Sequence, residues 1–259
     1  MLRQIELKIE LPEGVRLHSS MGSVFHGAMM EIIGSDAATW LHSLSSVRPF
    51  TQCLYYNRTL QSPIWRISAL SEESDKKIIE PILNTLGKEI FLRQKNYPVI
   101  LRSLENDTVS SYQKLADEVF LTEDVPLGVN VNMFTVTSFK RDGMYLIVPE
   151  RYLIFQSLIN RWNLFSKKNK LEGSKLEYEL ADSCFVSNYK LQTQMFSLEN
   201  SNIKGFRGSI QLKFRANEMV RRIMGLLIAY GQFAGLGIKT ALGMGGLNTE
   251  CFYNPRRKV

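Results

Sequence analysis

The sequence is short of cysteine and histidine and has no long apolar run, and each shortage excludes a class of protein. Its three cysteines, Cys53, Cys184 and Cys251, lie far apart in 259 residues with no CxxC spacing. That argues against a disulfide framework or a zinc site and for a reducing, cytosolic setting. No acidic cluster has the spacing of metal ligands, so neither a metal nor another cofactor is expected. No stretch approaches the roughly 18 apolar residues of a membrane span, so no membrane partner is expected. The opening Met1-Leu2-Arg3-Gln4-Ile5-Glu6-Leu7 mixes charge with alternating apolar residues, unlike a signal peptide. With 44% hydrophobic and 22% charged residues, collagen-like, disordered and coiled-coil classes also fall away. The length fits one large domain or two small ones.

What the chain does have is a charge imbalance between its halves. A Thr-Glu-Asp-Val-Pro-Leu-Gly connection around Pro126 divides it into 1–126 and 127–259. The first part holds 13 Lys+Arg against 16 Asp+Glu, and the second holds 19 against 9. The whole basic excess is C-terminal, which favours a polyanionic partner, because neutralised phosphates release condensed counterions. Solubility alone would not require the asymmetry.

Hydropathy periods give the elements. Residues 2–11 alternate from Ile5 and end at Pro12-Glu13-Gly14, a half-buried strand. Ser19-Ser20 are candidate caps of a helix carrying Phe25, Met29, Ile32 and Ile33. Gly34-Ser35-Asp36 breaks it before a short helix over Ala37–Leu44. Strands follow at Phe50–Tyr56 and Pro63–Leu70, a helix from Ser71, and strands at Glu89–Arg93 and Tyr97–Leu104. This is the β-α-β-β-α-β order of a ferredoxin-like domain. The second part repeats it. Val129–Arg141 and Met144–Val148 flank an Asp142-Gly143 turn, and Pro149 opens a helix with Phe155, Leu158 and Trp162. Strands near Cys184–Leu198 and Gly205–Arg215 come next, then a helix with Val220, Ile223, Met224, Leu227 and Ile228 on one face. The expected fold is therefore α+β, tandem ferredoxin-like (RRM-like) domains over 1–126 and 127–259, with a C-terminal glycine-rich loop.

That loop is the most specific local pattern. Gly235-Leu236-Gly237-Ile238-Lys239-Thr240-Ala241-Leu242-Gly243-Met244-Gly245 places two Gly-apolar-Gly triplets around a lysine, directly after a helix. Glycine admits positive φ and close backbone approach, and free N–H groups in such a loop bind phosphate oxygens. A dinucleotide fingerprint has its glycines before the helix, not after it. The segment resembles the glycine-rich loop of the RAMP superfamily of CRISPR-associated proteins, in particular the endoribonucleases that cut the CRISPR repeat transcript. Phe25-His26-Gly27-Ala28-Met29-Met30-Glu31, Ala38-Thr39-Trp40-Leu41-His42 and Arg48-Pro49-Phe50 are similar to that family's first helix and the segment after it. Tyr152–Leu158, Asn188-Tyr189-Lys190-Leu191 and Phe206-Arg207-Gly208 are similar to members working with type III-A (Csm) systems.

The resemblance implies metal-independent cleavage of repeat RNA (pre-crRNA) to crRNA. The upstream 2′-hydroxyl attacks the scissile phosphate, leaving a 2′,3′-cyclic phosphate and a 5′-hydroxyl. Such a reaction needs a base, an acid and a cation, and imidazole suits the first two roles. His42 stands where the family carries its acid/base histidine, and His26 is second. Where some members place a tyrosine on the first helix this chain has Glu31, which strengthens the case for His26. Arg48 matches the cationic position; His18 has no match and is expected to be structural. Candidate RNA contacts are Lys140, Arg141, Lys190, Lys204, Arg207, Lys213, Arg215 and Lys239, with the loop glycines Gly235, Gly237, Gly243 and Gly245. Arg221-Arg222 reads as the solvated face of the last helix. The resemblance also leaves room for a homodimer and for transient contact with a Csm-type complex. The main rival reading is a non-catalytic RAMP subunit that only binds RNA; a tandem RRM-like module would need an RNP-type aromatic strand, which no segment fits.

Overall fold

Residues 1–44, 47–198 and 201–253 are described by a computed structural model. Alternation decides which face of the first strand, β1 (Leu2–Glu10), lies inward: Ile5, Leu7 and Ile9 are buried together. β1 pairs antiparallel with β3 (Ser62–Ala69) and β5 (Tyr97–Ser110), β3 with β2 (Phe50–Asn57), and β5 with β4 (Glu89–Leu92), in the order β2-β3-β1-β5-β4. Helix α1 (Gly22–Ser43) covers one face of this sheet beside a helical stretch made of α2 (Glu72–Ser74), a π-turn over Asp75–Ile79, and α3 (Glu80–Leu83). Trp65 is fully buried and meets Phe25 edge-on at 5.1 Å.

The second sheet runs β11-β6-β10-β9, from β6 (Gly128–Thr137), β9 (Cys184–Leu198), β10 (Ser201–Phe214) and β11 (Leu247–Phe252). Its core side is filled by α5 (Arg151–Phe165) and α7 (Glu218–Ala234), with α6 (Leu176–Asp182) beside α5. Each sheet contains the strand order of a ferredoxin-like unit; in the first, β4 adds an outer hairpin strand.

Several expectations are adjusted. Asp142 and Gly143 do take positive φ (51° and 80°), but the turn joins a separate ribbon, β7 (Lys140–Arg141) and β8 (Met144–Tyr145), not two long strands. The start of α1 has no serine cap. Instead His18 caps a 3-10 turn over Ser19–Met21, its Nδ1 accepting from the Ser20 N–H at 3.3 Å. A helix absent from the sequence reading, α4 (Tyr112–Phe120), starts at the Ser111 cap and packs into the second core, with its Tyr112 ring 5.0 Å from Trp162. Arg222 is buried, not solvated: it pairs with Glu218 and donates to the Val119 and Thr122 carbonyls, tying α7 to α4.

The outer face of the first sheet is covered by the C-terminal end of α7. Gln4 donates to the Gln232 carbonyl at 2.7 Å and Thr51 to the Phe233 carbonyl at 2.7 Å. Further along, Arg66 bridges the two sheets. It pairs with Glu6 at 2.6 Å, donates to Asn248 Oδ1 at 2.9 Å, and lies over the Phe134 ring.

Candidate active site and RNA-binding surface

Both candidate histidines sit on α1, sixteen residues apart, which in an unbroken helix is a rise of about 24 Å. The helix is not unbroken. Gly34 has φ 79° and ψ 174°, a conformation essentially restricted to glycine, and the chain kinks there. The second segment turns so that Trp40 and Leu41 pack on the first core and Lys77 lies 4.7 Å over the Trp40 ring. Arg48 then donates to the Leu41 and Leu44 carbonyls, the latter at 2.8 Å, and so closes the helix C-terminus.

This folding-back brings His26, His42 and Arg48 together. His42 and Arg48 both act on the His26 charge, and with burial as the largest cause they push its pKa down to about 4. The His26 ring stacks flat on Phe50 at 5.9 Å, and its Nδ1 is buried without a hydrogen-bond partner. His42, in contrast, is exposed in the last turn of α1. Among the described residues Arg48 has no carboxylate partner. Glu31 is engaged elsewhere, pairing with Arg93 at 2.7 Å.

The depressed pKa has a consequence for stability. The folded protein holds His26 neutral where the unfolded chain would protonate it, so this contribution is complete above about pH 6.5 and is lost as pH falls towards 4. His26→Phe is expected to flatten the fall in melting temperature over that interval. Parallel melts of the two proteins from pH 7 to 4 check it; coincident curves count against a neutral, buried His26.

The glycine-rich loop is a packed bridge. Gly235, Gly237, Gly243 and Gly245 all have positive φ, as does Lys239 at 55°. The expected array of free N–H groups is largely used internally. Leu236 donates to Gly245, Ile238 to Ser138, Gly245 to Val136, and Gly246 to the Thr135 hydroxyl. The four glycines are buried, and at three of them a Cβ would collide with backbone: at Gly245 it would lie 2.1 Å from the Leu236 oxygen, while at Gly235 it would press on the Thr240 side chain at 2.9 Å. Only Lys239 is exposed in this segment. The other limb of the loop rests on the start of α1, where a Cβ on Gly22 would sit 2.7 Å from the Gly243 Cα. Gln52 joins the two, donating to the Gly22 carbonyl at 2.7 Å and the Ala241 carbonyl at 3.1 Å. The Ala241 backbone in turn favours the protonated form of His26. The loop therefore reaches the histidine cluster.

The remaining basic candidates spread along the second sheet. Its strands β6, β9 and β10 contain no Asp or Glu, while Lys190, Lys204, Arg207 and Lys213 project from them to solvent. Lys204 is next to the loop: its carbonyl accepts from the hydroxyl of Ser138 at 3.1 Å, and the Ser138 carbonyl accepts from the Ile238 N–H. Arg207 lines an open groove of about 1030 Å³ between the sheets, together with Arg58, Arg66, Asn132, Phe134 and Gln194. Lys140 and Arg141 lie on the ribbon beside Gly237, with Arg141 paired to Glu150. Lys213 and Arg215 are far from the loop, about 30 Å along β10 from Lys204, and Arg215 stacks 4.6 Å over Phe185. Arg58, Gln52 and the buried Arg161 gave no sequence signal. Their places depend on tertiary contacts.

Comparison with known proteins agrees with this fold. A family described as CRISPR-associated endoribonuclease Cas6 matches residues 131–247. A CRISPR-associated endoribonuclease Cas6 of Streptococcus thermophilus is 30% identical over 230 residues, covering 87% of this chain and 90% of that protein. One of the same name from Mycobacterium tuberculosis is 26% identical over 248 residues, covering 95% and 77%. A solved Cas6 product complex superposes with a TM-score of 0.76 at 22% identity, covering 96% of this chain and 99% of that one.

Proposed function

The chain belongs to the Cas6 family of CRISPR-associated endoribonucleases, and from that premise we propose that it cuts CRISPR repeat RNA without a metal ion, using His26, His42 and Arg48. The observation that carries this reading is the convergence of those three side chains through the Gly34 kink. A subunit that only coats RNA has no need of two histidines and a cation brought together across a kinked helix.

In this reading the 2′-hydroxyl attacks the adjacent phosphorus, and its proton passes to an imidazole. The 5′-oxygen leaves with a proton from the other, so the products are a 2′,3′-cyclic phosphate and a 5′-hydroxyl. His26 is neutral at neutral pH and can accept the first proton. A bound phosphate near it opposes the depression caused by Arg48 and His42 and strengthens it as a base. Exposed His42 then serves as the acid, and Arg48 stabilises the charge of the pentavalent phosphorane. Lys239 and Lys204 beside the loop, Lys140 and Arg141 on the ribbon, and Lys190, Arg207, Lys213 and Arg215 along the sheet hold the RNA backbone. The loop glycines shape the site.

The similarity of the Tyr152, Asn188 and Phe206 segments supports a finer assignment to the type III-A (Csm)-associated subgroup, with product passed to a Csm-type complex in the cytoplasm. No helix among the described residues is long and apolar enough to cross a membrane. Incubating 5′-labelled repeat transcript with the protein in excess EDTA tests the reading. Cutting at a single position is expected; tight binding without cutting assigns the chain to the non-catalytic RAMP subunits.

A further inference from the structure

Helix α5 presents an almost continuous apolar face to the second core, yet one of its buried positions is Arg161, which is 9% exposed. Its guanidinium reaches the glycine-rich loop: Nη1 donates to the Gly235 carbonyl at 3.2 Å, and Nη2 to the Gly237 carbonyl at 2.6 Å and the Thr240 hydroxyl at 3.3 Å. Among the described residues no carboxylate pairs with it, and the titratable group that acts on it is Tyr230. Burial lowers its pKa to about 10, so it is still charged at neutral pH. A buried cation with no counter-ion is costly, and an apolar residue of similar size would pack there more cheaply. What an apolar residue, or a lysine, cannot do is span three acceptors on one limb of a loop with a planar fork.

We propose that Arg161 is the positioning residue of the glycine-rich loop, fixing the limb from Gly235 to Thr240 so that Lys239 faces the RNA and the Ala241 backbone faces His26. This rests on the endoribonuclease reading above. The two limbs of the loop are thereby held by buried side chains from different halves of the chain. Arg161 of the second half grips the first limb, and Gln52 of the first half grips Ala241. The residues between them, Lys239 and Thr240, depend on both. With the Arg161 fork gone, the Gly235 and Gly237 carbonyls and the Thr240 hydroxyl lose their buried donor, the limb relaxes, and water reaches His26.

Arg161→Lys keeps the charge without the fork, and Arg161→Met keeps the volume without either. Both are compared with the wild type in thermal melting and in single-turnover cleavage of repeat RNA from pH 4 to 8. Each is expected to melt cooperatively and to cut at least about tenfold more slowly at saturating RNA. The acid limb of the rate profile is expected to lie at higher pH than in the wild type, closer to an ordinary histidine value, a change that loss of packing alone does not produce. Folded variants that cut within about twofold of wild type with an unmoved acid limb overturn the proposal. If the variants do not melt cooperatively, amide exchange on the wild type decides: Ile238 and Gly245 must be protected as strongly as α7, and exchange at the rate of an open loop overturns it. Should the wild type itself not cut repeat RNA, the endoribonuclease reading fails, and the exchange measurement still decides the place of Arg161.

Discussion

His42→Ala is expected to slow cleavage of repeat RNA by about 10²- to 10⁴-fold, the range typical for removing a general acid or base. The side chain is exposed in the last turn of α1, and among the described residues it makes no side-chain hydrogen bond or ion pair. The melting temperature and RNA affinity should therefore stay close to wild type, which places the loss in the chemical step. Single-turnover rates at saturating RNA, with a thermal melt of the same preparation, check both halves of the statement. A variant that cuts at the wild-type rate would move the acid role elsewhere, with His26 the next candidate.

Gly34→Ala is expected to be nearly as damaging to activity although it adds one methyl group in open space. A Cβ at Gly34 would meet nothing within 4 Å, so the effect is one of backbone conformation alone. At φ 79° and ψ 174° an alanine is strained by about 1 to 3 kcal/mol. The chain can relieve that strain by straightening the helix, which carries His42 and the carbonyls held by Arg48 away from His26. Misplacement of a catalytic group by as little as 1 Å can cost about 10²-fold in rate. A loss of that order, with a small drop in melting temperature, is the expected result from the same two assays. An active Gly34→Ala protein would mean that the kink does not set the histidine geometry.

The residues that make the kink were readable without the fold. Gly34-Ser35-Asp36 interrupts an otherwise helical period, and the residues after it resume that period. Likewise Asp142-Gly143 announced its turn, alternation from Ile5 located β1, and Phe50–Tyr56 and Pro63–Leu70 read as the strands that became β2 and β3. What escaped had physical reasons. α4 is nine residues long, and its burial is visible only once α7 is beside it. The glycine-rich loop was legible as a functional segment but not in its physical role. Its glycines pack closely against Gly22 and Leu236, and that requires knowing which backbone lies opposite. Arg161 and Gln52 belong to the same class: nothing local separates a buried arginine on α5, or a buried glutamine in β2, from their solvated counterparts.

A repeat RNA with a single 2′-deoxy nucleotide immediately upstream of the cut position bears on the reaction itself. With the unmodified RNA in EDTA, the proposed mechanism requires one cut that leaves a 2′,3′-cyclic phosphate and a 5′-hydroxyl. With the 2′-deoxy RNA it requires binding of unchanged strength and no cut. Cleavage of the 2′-deoxy RNA at the same position and rate would show that the 2′-hydroxyl is not the nucleophile, and the roles given to His26, His42 and Arg48 would not stand.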